Sequence, residues 1–360
     1  MSIQGFTLTP QRVGIIRGRI LKHAMPKIVL GTIGINDDFK ANTGDTVKYR
    51  RFLNKGNTAA QPNRFFQDLT AVDRAQQYAI DHLTAEGVTS AAETILVQDI
   101  TATLNQYNVL YGYTDKTFDL YEDDIPKAMT TLTGERLGLI HEMALFGVLK
   151  GCTNKFYGGT GTSRATVNGV ISLVKLRAIA RSMKNNHAEP VANMLQRIPA
   201  SGMYGTSAVE VCYPVFVSTD LEPDIRDLAG FLPVVKYGDP SKAVAGEFGS
   251  CENFRFISSP ELVSIQDAGA AVAGSVPALL SLTGTYADVY QVIIAASDAW
   301  GHIGVNVAGS DLTALTPGQK DKADPQGQRG YVGAKFYYNA VILNSLQMAV
   351  YEVATNALTS

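Results

Sequence analysis

His141 and Glu142 stand side by side in a stretch of helical periodicity. They open the His-Glu-x-x-His pattern, in which two histidines one helical turn apart grip zinc and the glutamate acts as general base. The position four residues after His141 is Leu145, so the second ligand is missing and the pair reads as helix-face residues in a packed setting. His23, His82, His187 and His302, the remainder of the five histidines, show no metal-ligand spacing either. Gly158-Gly159-Thr160-Gly161-Thr162-Ser163 has the glycine content of a phosphate-cradling loop. It lacks the Gly-Lys-Ser/Thr ending and follows a helix instead of a strand. Glu122-Asp123-Asp124 could attract a cation, but acidic residues before a helix are accounted for by its macrodipole. No Gly-x-Ser-x-Gly elbow frames a serine nucleophile. Cys152, Cys212 and Cys251 are odd in number and far apart, which suits buried small hydrophobes in a reducing compartment. The residues therefore predict no catalytic group, no cofactor and no metal.

The elements around them carry more information. Ile125, Met129, Leu132, Leu139, Met143, Phe146 and Leu149 recur with helical spacing, and Leu137, Ile140, Ala144 and Val148 widen the face toward its C-terminal end. Pro126 suits the first turn and Gly151 the position past the last, so the spacing predicts one helix over Ile125 to Lys150, about 39 Å long. A charge at Leu139 or Met143 is expected to block folding. A second helix is expected over Val170 to Asn185, its turns marked by Ile171, Val174, Ala178 and Arg181. Alternating β-formers predict strands at 46–52 and 102–113, the latter with Tyr107, Val109, Tyr111 and Tyr113 on one side. The fifty residues between them, including a helical piece near Val72 to Gly87, are too long for a hairpin loop and read as a projection that packs on a partner. Further strands are expected at Val209–Ser218, with Pro214 at an edge or bulge, at Phe254–Ile257 and at Val289–Ala295. Gly309 to Gly330 reads as loop. Gly333–Leu343 and Leu346–Ala354 close the chain as β-rich runs, the last equally compatible with a helix.

With 360 residues, 46% hydrophobic, the chain can build a sizeable core of one to three domains. A formal charge of −2 argues against a protein whose main task is gripping nucleic acid. Residues 1–36 contrast with that balance, holding Arg12, Arg17, Arg19, Lys22 and Lys27 and no acid. They read as an arm that gains order on another surface. No secretory signal or membrane span is visible, and a soluble cytosolic protein is expected.

The segment from Val215 to Ser259 carries a family pattern. A hydrophobic strand is followed by Asp224-Ile225-Arg226, then Tyr237, then Gly246-Glu247-Phe248-Gly249, then Phe254-Arg255-Phe256 with Ser258. Leu83-Thr84-Ala85-Glu86-Gly87-Val88 and Asp324-Pro325-Gln326-Gly327-Gln328 before Gly333-Ala334-Lys335-Phe336 extend it. The set resembles tailed-phage major capsid proteins, in the subfamily typified by coliphage N-four. The resemblance implies an α+β, Hong Kong 97-type capsid fold. Its parts would be an N-terminal arm (1–40), an extended loop with its flanking strands (41–113) and a peripheral domain with a long spine helix (114–157). An axial domain (158–328) and return strands of the peripheral domain (329–360) would follow. Thr219-Asp220-Leu221-Glu222-Pro223 replaces the family's His-Pro after the axial strand, and the loop excursion is longer than usual.

The resemblance also implies hexamers and pentamers of an icosahedral shell inside a virion, assembled in the host cytoplasm. The partners would be further copies of the chain, scaffold, portal and decoration proteins, and packaged double-stranded DNA held without sequence specificity; no membrane is involved. Lys55, Leu83, Glu86 and Gly87 are the expected subunit-interface residues. Arg12, Arg17, Arg19, Lys22 and Lys27 are the expected inward-facing basic arm. A cellular nanocompartment shell of the same fold and a cytosolic α/β enzyme are the alternatives.

Overall fold

The computed structural model describes residues 27–39, 44–63, 72–89, 92–121, 124–197, 204–237, 243–244, 246–274, 278–305, 311–320, 322 and 324–358. In chain order its first elements are β1 (Ile35–Phe39), β2 (Thr46–Leu53), α1 (Arg74–Asp81), β3 (Leu96–Thr103), β4 (Asn105–Thr114) and α2 (Asp115–Leu120). The helix α3 (Ile125–Leu149), β5 (Lys155–Tyr157), α4 (Leu173–Asn185), β6 (Val191–Arg197), β7 (Tyr204–Ser218) and α5 (Glu222–Arg226) follow. The last elements are β8 (Leu232–Pro233), β9 (Glu247–Cys251), β10 (Phe254–Ser259), β11 (Tyr290–Ala295), β12 (Trp300–Val305), β13 (Asp311–Leu315), β14 (Arg329–Ile342) and β15 (Met348–Val353).

Helix α3 forms where its periodicity places it, and its ends explain why. The Asp124 carboxylate accepts from the Lys127 N–H at 3.1 Å, Pro126 fills the first turn, and the Gly151 N–H turns back to the Val148 carbonyl. Burial deepens along it as expected, but the buried row is Met129, Thr133, Glu142, Leu145, Phe146 and Leu149. Leu139 and Met143 are only half-buried, and Leu132 is exposed. The C-terminal half is apolar almost all round, so periodicity alone does not fix which row meets the core. In α4 the buried row is Leu176, Ile179 and Met183, while Val174 is 74% exposed, a phase different from the expected one.

Two sheets hold α3 between them. One, ordered β1-β12-β14-β13, is antiparallel except for β1–β12, and β4 also pairs with the long β14. The other runs β5-β15-β11-β7-β10-β9-β8, with β6 beside β7. Alternate residues of its central strands point to opposite sides, as the period of two requires. Phe216, Ile293 and Val350 face Leu145, Phe146 and Leu149 of α3, in one core with Trp300 and Tyr338 from the first sheet. Val215, Val217, Ile294 and Tyr351 face Leu176, Ile179 and Met183 of α4 on the other side. All six residues of β11 are buried, the signature of a strand covered on both faces.

Several expectations need correction. The 46–53 strand pairs in antiparallel register with Leu96–Thr103, from Thr46↔Thr103 to Leu53↔Leu96, so of the expected 102–113 strand only residues 102 and 103 take part. That run breaks at Leu104, and its second half, with Tyr107, Val109, Tyr111 and Tyr113 on the more buried side as expected, joins β14. Within the expected loop 309–330, residues Asp311–Leu315 form a strand, because β14 offers them an open edge. Pro214 is buried inside β7, at the point where its neighbour on one side changes from β6 (through Cys212) to β11 (from Val215). There a missing N–H breaks no ladder bond. The run at Leu346–Ala354 is a strand, Met348–Val353. It belongs to the second sheet, whereas β14 belongs to the first.

Candidate functional site

Among the described residues, the most distinctive surface is the β2–β3 hairpin and the excursion it carries. At the root, Val47, Tyr49 and Ile100 pack with Ala102 on Ile303 and Val341 of the first sheet. Arg51 donates to the Leu343 carbonyl, and Asn63 bridges the Asn186 carbonyl and the Asn344 amide. Outward of this root most apolar side chains lose their cover, with Leu53 a buried exception. Phe52, Ile95, Leu96, Tyr78, Ile80, Leu83 and Val88 are all exposed, Leu83 to 77%. Large apolar side chains gathered on one projection mark an interaction surface, whereas scattered ones do not.

Ion pairs stiffen the same hairpin. Lys48 and Arg50 both meet Asp99, whose carboxyl is held down at about 2, chiefly by the Arg50 hydrogen bond. Lys55 meets Glu93 at 2.7 Å, with His82 at 3.5 Å from the same oxygen. Of the four expected interface residues, Lys55 is therefore engaged within its own chain. Leu83, Glu86 and Gly87 lie together in an exposed stretch after α1. Of the expected basic arm, Arg12, Arg17, Arg19 and Lys22 lie outside the described residues. Lys27 is half-buried, and its carbonyl accepts from the Ser259 hydroxyl at 2.7 Å.

The residues that looked chemical have structural work. The Gly158–Ser163 loop folds back on Gly169: a Cβ at Gly158 would stand 2.4 Å from the Gly169 carbonyl oxygen, and the Asn168 side chain caps the Thr160 N–H at 3.0 Å. Arg164, just beyond it, grips the fully buried Glu352 with bonds of 3.0 and 2.6 Å, aided by Gln291 and Lys155. Burial pushes the Glu352 carboxyl up, but the hydrogen bonds and charges of these partners outweigh it and hold it below the usual range. The three cysteines are buried as expected, and burial raises the Cys152 and Cys251 thiols. Among the described residues, no group of three His, Cys, Asp or Glu side chains could hold a metal ion, and no helix is long and apolar enough to cross a membrane.

The Val215–Ser259 pattern acquires a reason. Glu247, with its side chain fully buried, accepts from the Tyr237 hydroxyl at 2.6 Å and the Val244 N–H at 2.8 Å, with Arg255 at 3.4 Å. Asp224 accepts from the Thr355 hydroxyl and from the backbone and side-chain N–H groups of Asn356, tying α5 to the chain's last described residues. Residues spread over the motif thus converge on buried carboxylates that pin the second sheet's margin. Sequence reasoning placed Glu142 on a packed helix face but missed its partners, the Val29 and Leu30 N–H groups. The only signal was a glutamate inside an apolar helical half.

No protein-family model matches the chain. The capsid of Ralstonia phage GP4 superposes with a TM-score of 0.64 at 14% identity, covering 100% of both chains. The chain has the Hong Kong 97-type capsid fold. The capsid subunit of cyanophage Pam1 shares it with a TM-score of 0.58 at 12% identity, over 98% of this chain and 99% of that one. In sequence, the major capsid protein of Pseudomonas phage KPP21 is 22% identical over 256 residues. That match takes in 66% of this chain and 63% of the relative's length.

Proposed function

We propose that this chain is a major capsid protein, the repeating structural subunit of an icosahedral tailed-phage shell built from hexamers and pentamers. The observation that carries the reading is the projecting hairpin. Phe52, Leu83, Ile95 and Leu96 are exposed on it among the described residues, on a fold shared end to end with phage capsid subunits. A subunit that must meet many copies needs broad mixed surfaces, and a mild net charge keeps those copies from repelling one another. The sequence match to a phage major capsid protein supports the same reading.

In this proposal residues 1–40 are the arm and 41–113 the extended loop with its strands. Residues 114–157 are the spine-helix part of a peripheral domain, 158–328 the axial domain, and 329–360 the return to the periphery. Leu83, Glu86 and Gly87 lie on the loop surface that meets a neighbouring copy, and Lys55 stiffens that loop through Glu93. Scaffold, portal and decoration proteins and the packaged DNA are further partners, with assembly in the host cytoplasm. The Asp224, Tyr237, Glu247 and Arg255 constellation supports a place in the N-four-like subgroup. Electron microscopy of the expressed full chain, alone and with its scaffold, tests the proposal. Closed shells of uniform size are expected. Discrete dimers or tetramers with ligand-dependent melting would point to an enzyme instead, and shells enclosing protein cargo in place of DNA to a nanocompartment.

A further inference from the structure

Helix α4 carries Lys175, Arg177, Arg181 and Lys184 and no acidic residue, in a chain whose formal charge is −2. Its apolar row, Leu176, Ile179 and Met183, is fully buried on the second sheet, which fixes how the charged face is presented. Arg177, Arg181 and Lys184 stand exposed on that face at steps of four and three, so they line one side of the helix over about 10 Å. They form one wall of an open groove of about 440 Å³. Glu252, on the turn between β9 and β10, stands on the other wall, and Ala180 and Phe254 also line the space.

Local structure does not use up these cations. Arg177 is held in place, its Nε and Nη2 both donating to one Glu252 oxygen at 2.8 and 2.5 Å. Glu252 is in turn set by the backbone. It sits at a φ of 51° in the two-residue turn between Cys251 and Phe254, the left-handed conformation that such hairpin turns require. Beside it, the Asn253 carbonyl accepts from the Tyr213 N–H at 2.8 Å. Arg181 and Lys184, by contrast, have no acidic partner among the described residues. Cations in a last helical turn often serve its bare carbonyls, but here those carbonyls are already capped. The Ala188 and His187 N–H groups return to the Met183 and Lys184 carbonyls, each at 3.0 Å, with His187 at a φ of 53°. The Asn186 side chain donates to the Ser182 carbonyl at 2.8 Å. The groove thus sets three cations against one carboxylate and keeps two positive charges in surplus.

We propose that this groove is a binding site for a small oligophosphate anion of the size of pyrophosphate, gripped by Arg181 and Lys184 beside the fixed Arg177. Two surplus charges match a ligand that carries at least two negative ones, whereas a single carboxylate would answer only one of them. The planar fork of Arg181 matches two oxygens of one phosphate. The Lys184 ammonium, about one turn further along, is a compact point charge for the next phosphate. The volume lies within the range of small-molecule sites. Because the groove is open to water, binding should weaken steeply as salt is added. The site belongs to the single subunit and does not depend on what that subunit assembles into.

Isothermal titration calorimetry of inorganic pyrophosphate into the full chain, at low ionic strength, tests the site. One anion per subunit is expected, with orthophosphate weaker and acetate silent. The double variant Arg181→Gln, Lys184→Gln should weaken binding by at least about tenfold, through the loss of two charge-assisted contacts. The control Lys127→Gln, Lys320→Gln removes the same charge from exposed positions elsewhere and should stay within about twofold of the parent. No saturable binding, or equal weakening in both double variants, would overturn the proposal. So would tighter binding of a short oligothymidylate through the same residues, because the groove would then be part of a nucleic-acid track. Should the groove variant fail to fold, amide chemical shifts of the wild type decide. Pyrophosphate should move the signals of residues 177–187 and 252–254, and shifts confined to any other surface would sink the assignment.

Discussion

The hairpin β2–β3 and the strand β11 are both built from β-branched and aliphatic residues, yet they end in opposite circumstances. In β11 every residue is buried, between α3 on one side of its sheet and α4 on the other. In the hairpin, two strands pair with each other in a separate two-stranded sheet, and beyond the root Phe52, Leu96 and Val97 are exposed. A two-stranded ribbon is marginal by itself. This one is held by its root contacts and by ion pairs such as Arg50–Asp99 and Lys55–Glu93. One region finishes its packing within the chain, and the other, on the proposed reading, leaves it to a neighbouring copy. Stability should therefore respond to the first, and assembly to the second.

The strongest way to break that contrast is a charge in the inner region. Leu145→Asp places an unpaired carboxylate between the two sheets at a fully buried position and should cost more than about 4 kcal/mol. No cooperative thermal transition is expected by circular dichroism, whereas Met143→Lys, at a half-buried position, should still fold.

A smaller loss is expected from Arg164→Ala. It leaves the buried Glu352 with Lys155 and Gln291 alone, and because Arg164 is itself 38% exposed, the cost should be about 2 kcal/mol by chemical denaturation. The pH profile should follow. Glu352 has a depressed folded value, so its stabilising contribution is present above the ordinary carboxylate range near 4.5 and is lost as pH falls through its lower folded value. Arg164→Ala should flatten that acid limb of the stability curve.

On the outer region, Leu83→Asp should leave subunit melting within about 0.5 kcal/mol of the parent, because the side chain is already in water. If the assembly reading holds, the same variant should fail to form shells by electron microscopy; normal shells would remove this stretch from the interface. The smallest effect belongs to Asp99→Asn. It removes the charge that Lys48 and Arg50 share on the exposed hairpin, so amide exchange there should quicken with no change in the core transition.

Much of this was legible because it is local. The α3 termini and the Tyr107–Tyr113 alternation depend on neighbours in sequence. The polar motif Asp224, Tyr237, Glu247 and Arg255 was visible as a pattern before its convergence on buried carboxylates was known. What stayed hidden was relational. An apolar helical half cannot declare whether Leu139 or Leu145 faces the sheets, since both lie on plausible faces. Glu142 gave no sign that its partners would be backbone N–H groups from residues 29 and 30, over a hundred positions away.

The sequence alone determined the long helix, most of the strands, the poverty of catalytic motifs and a pattern shared with capsid proteins. Only the tertiary structure decided that 46–53 pairs with 96–103, that the last two strands part into different sheets, and that Glu142 receives the N–H groups of Val29 and Leu30. The physical reason is that side-chain period reports which residues share a face. What that face meets depends on contacts between residues far apart in the chain, which close only when the whole molecule folds.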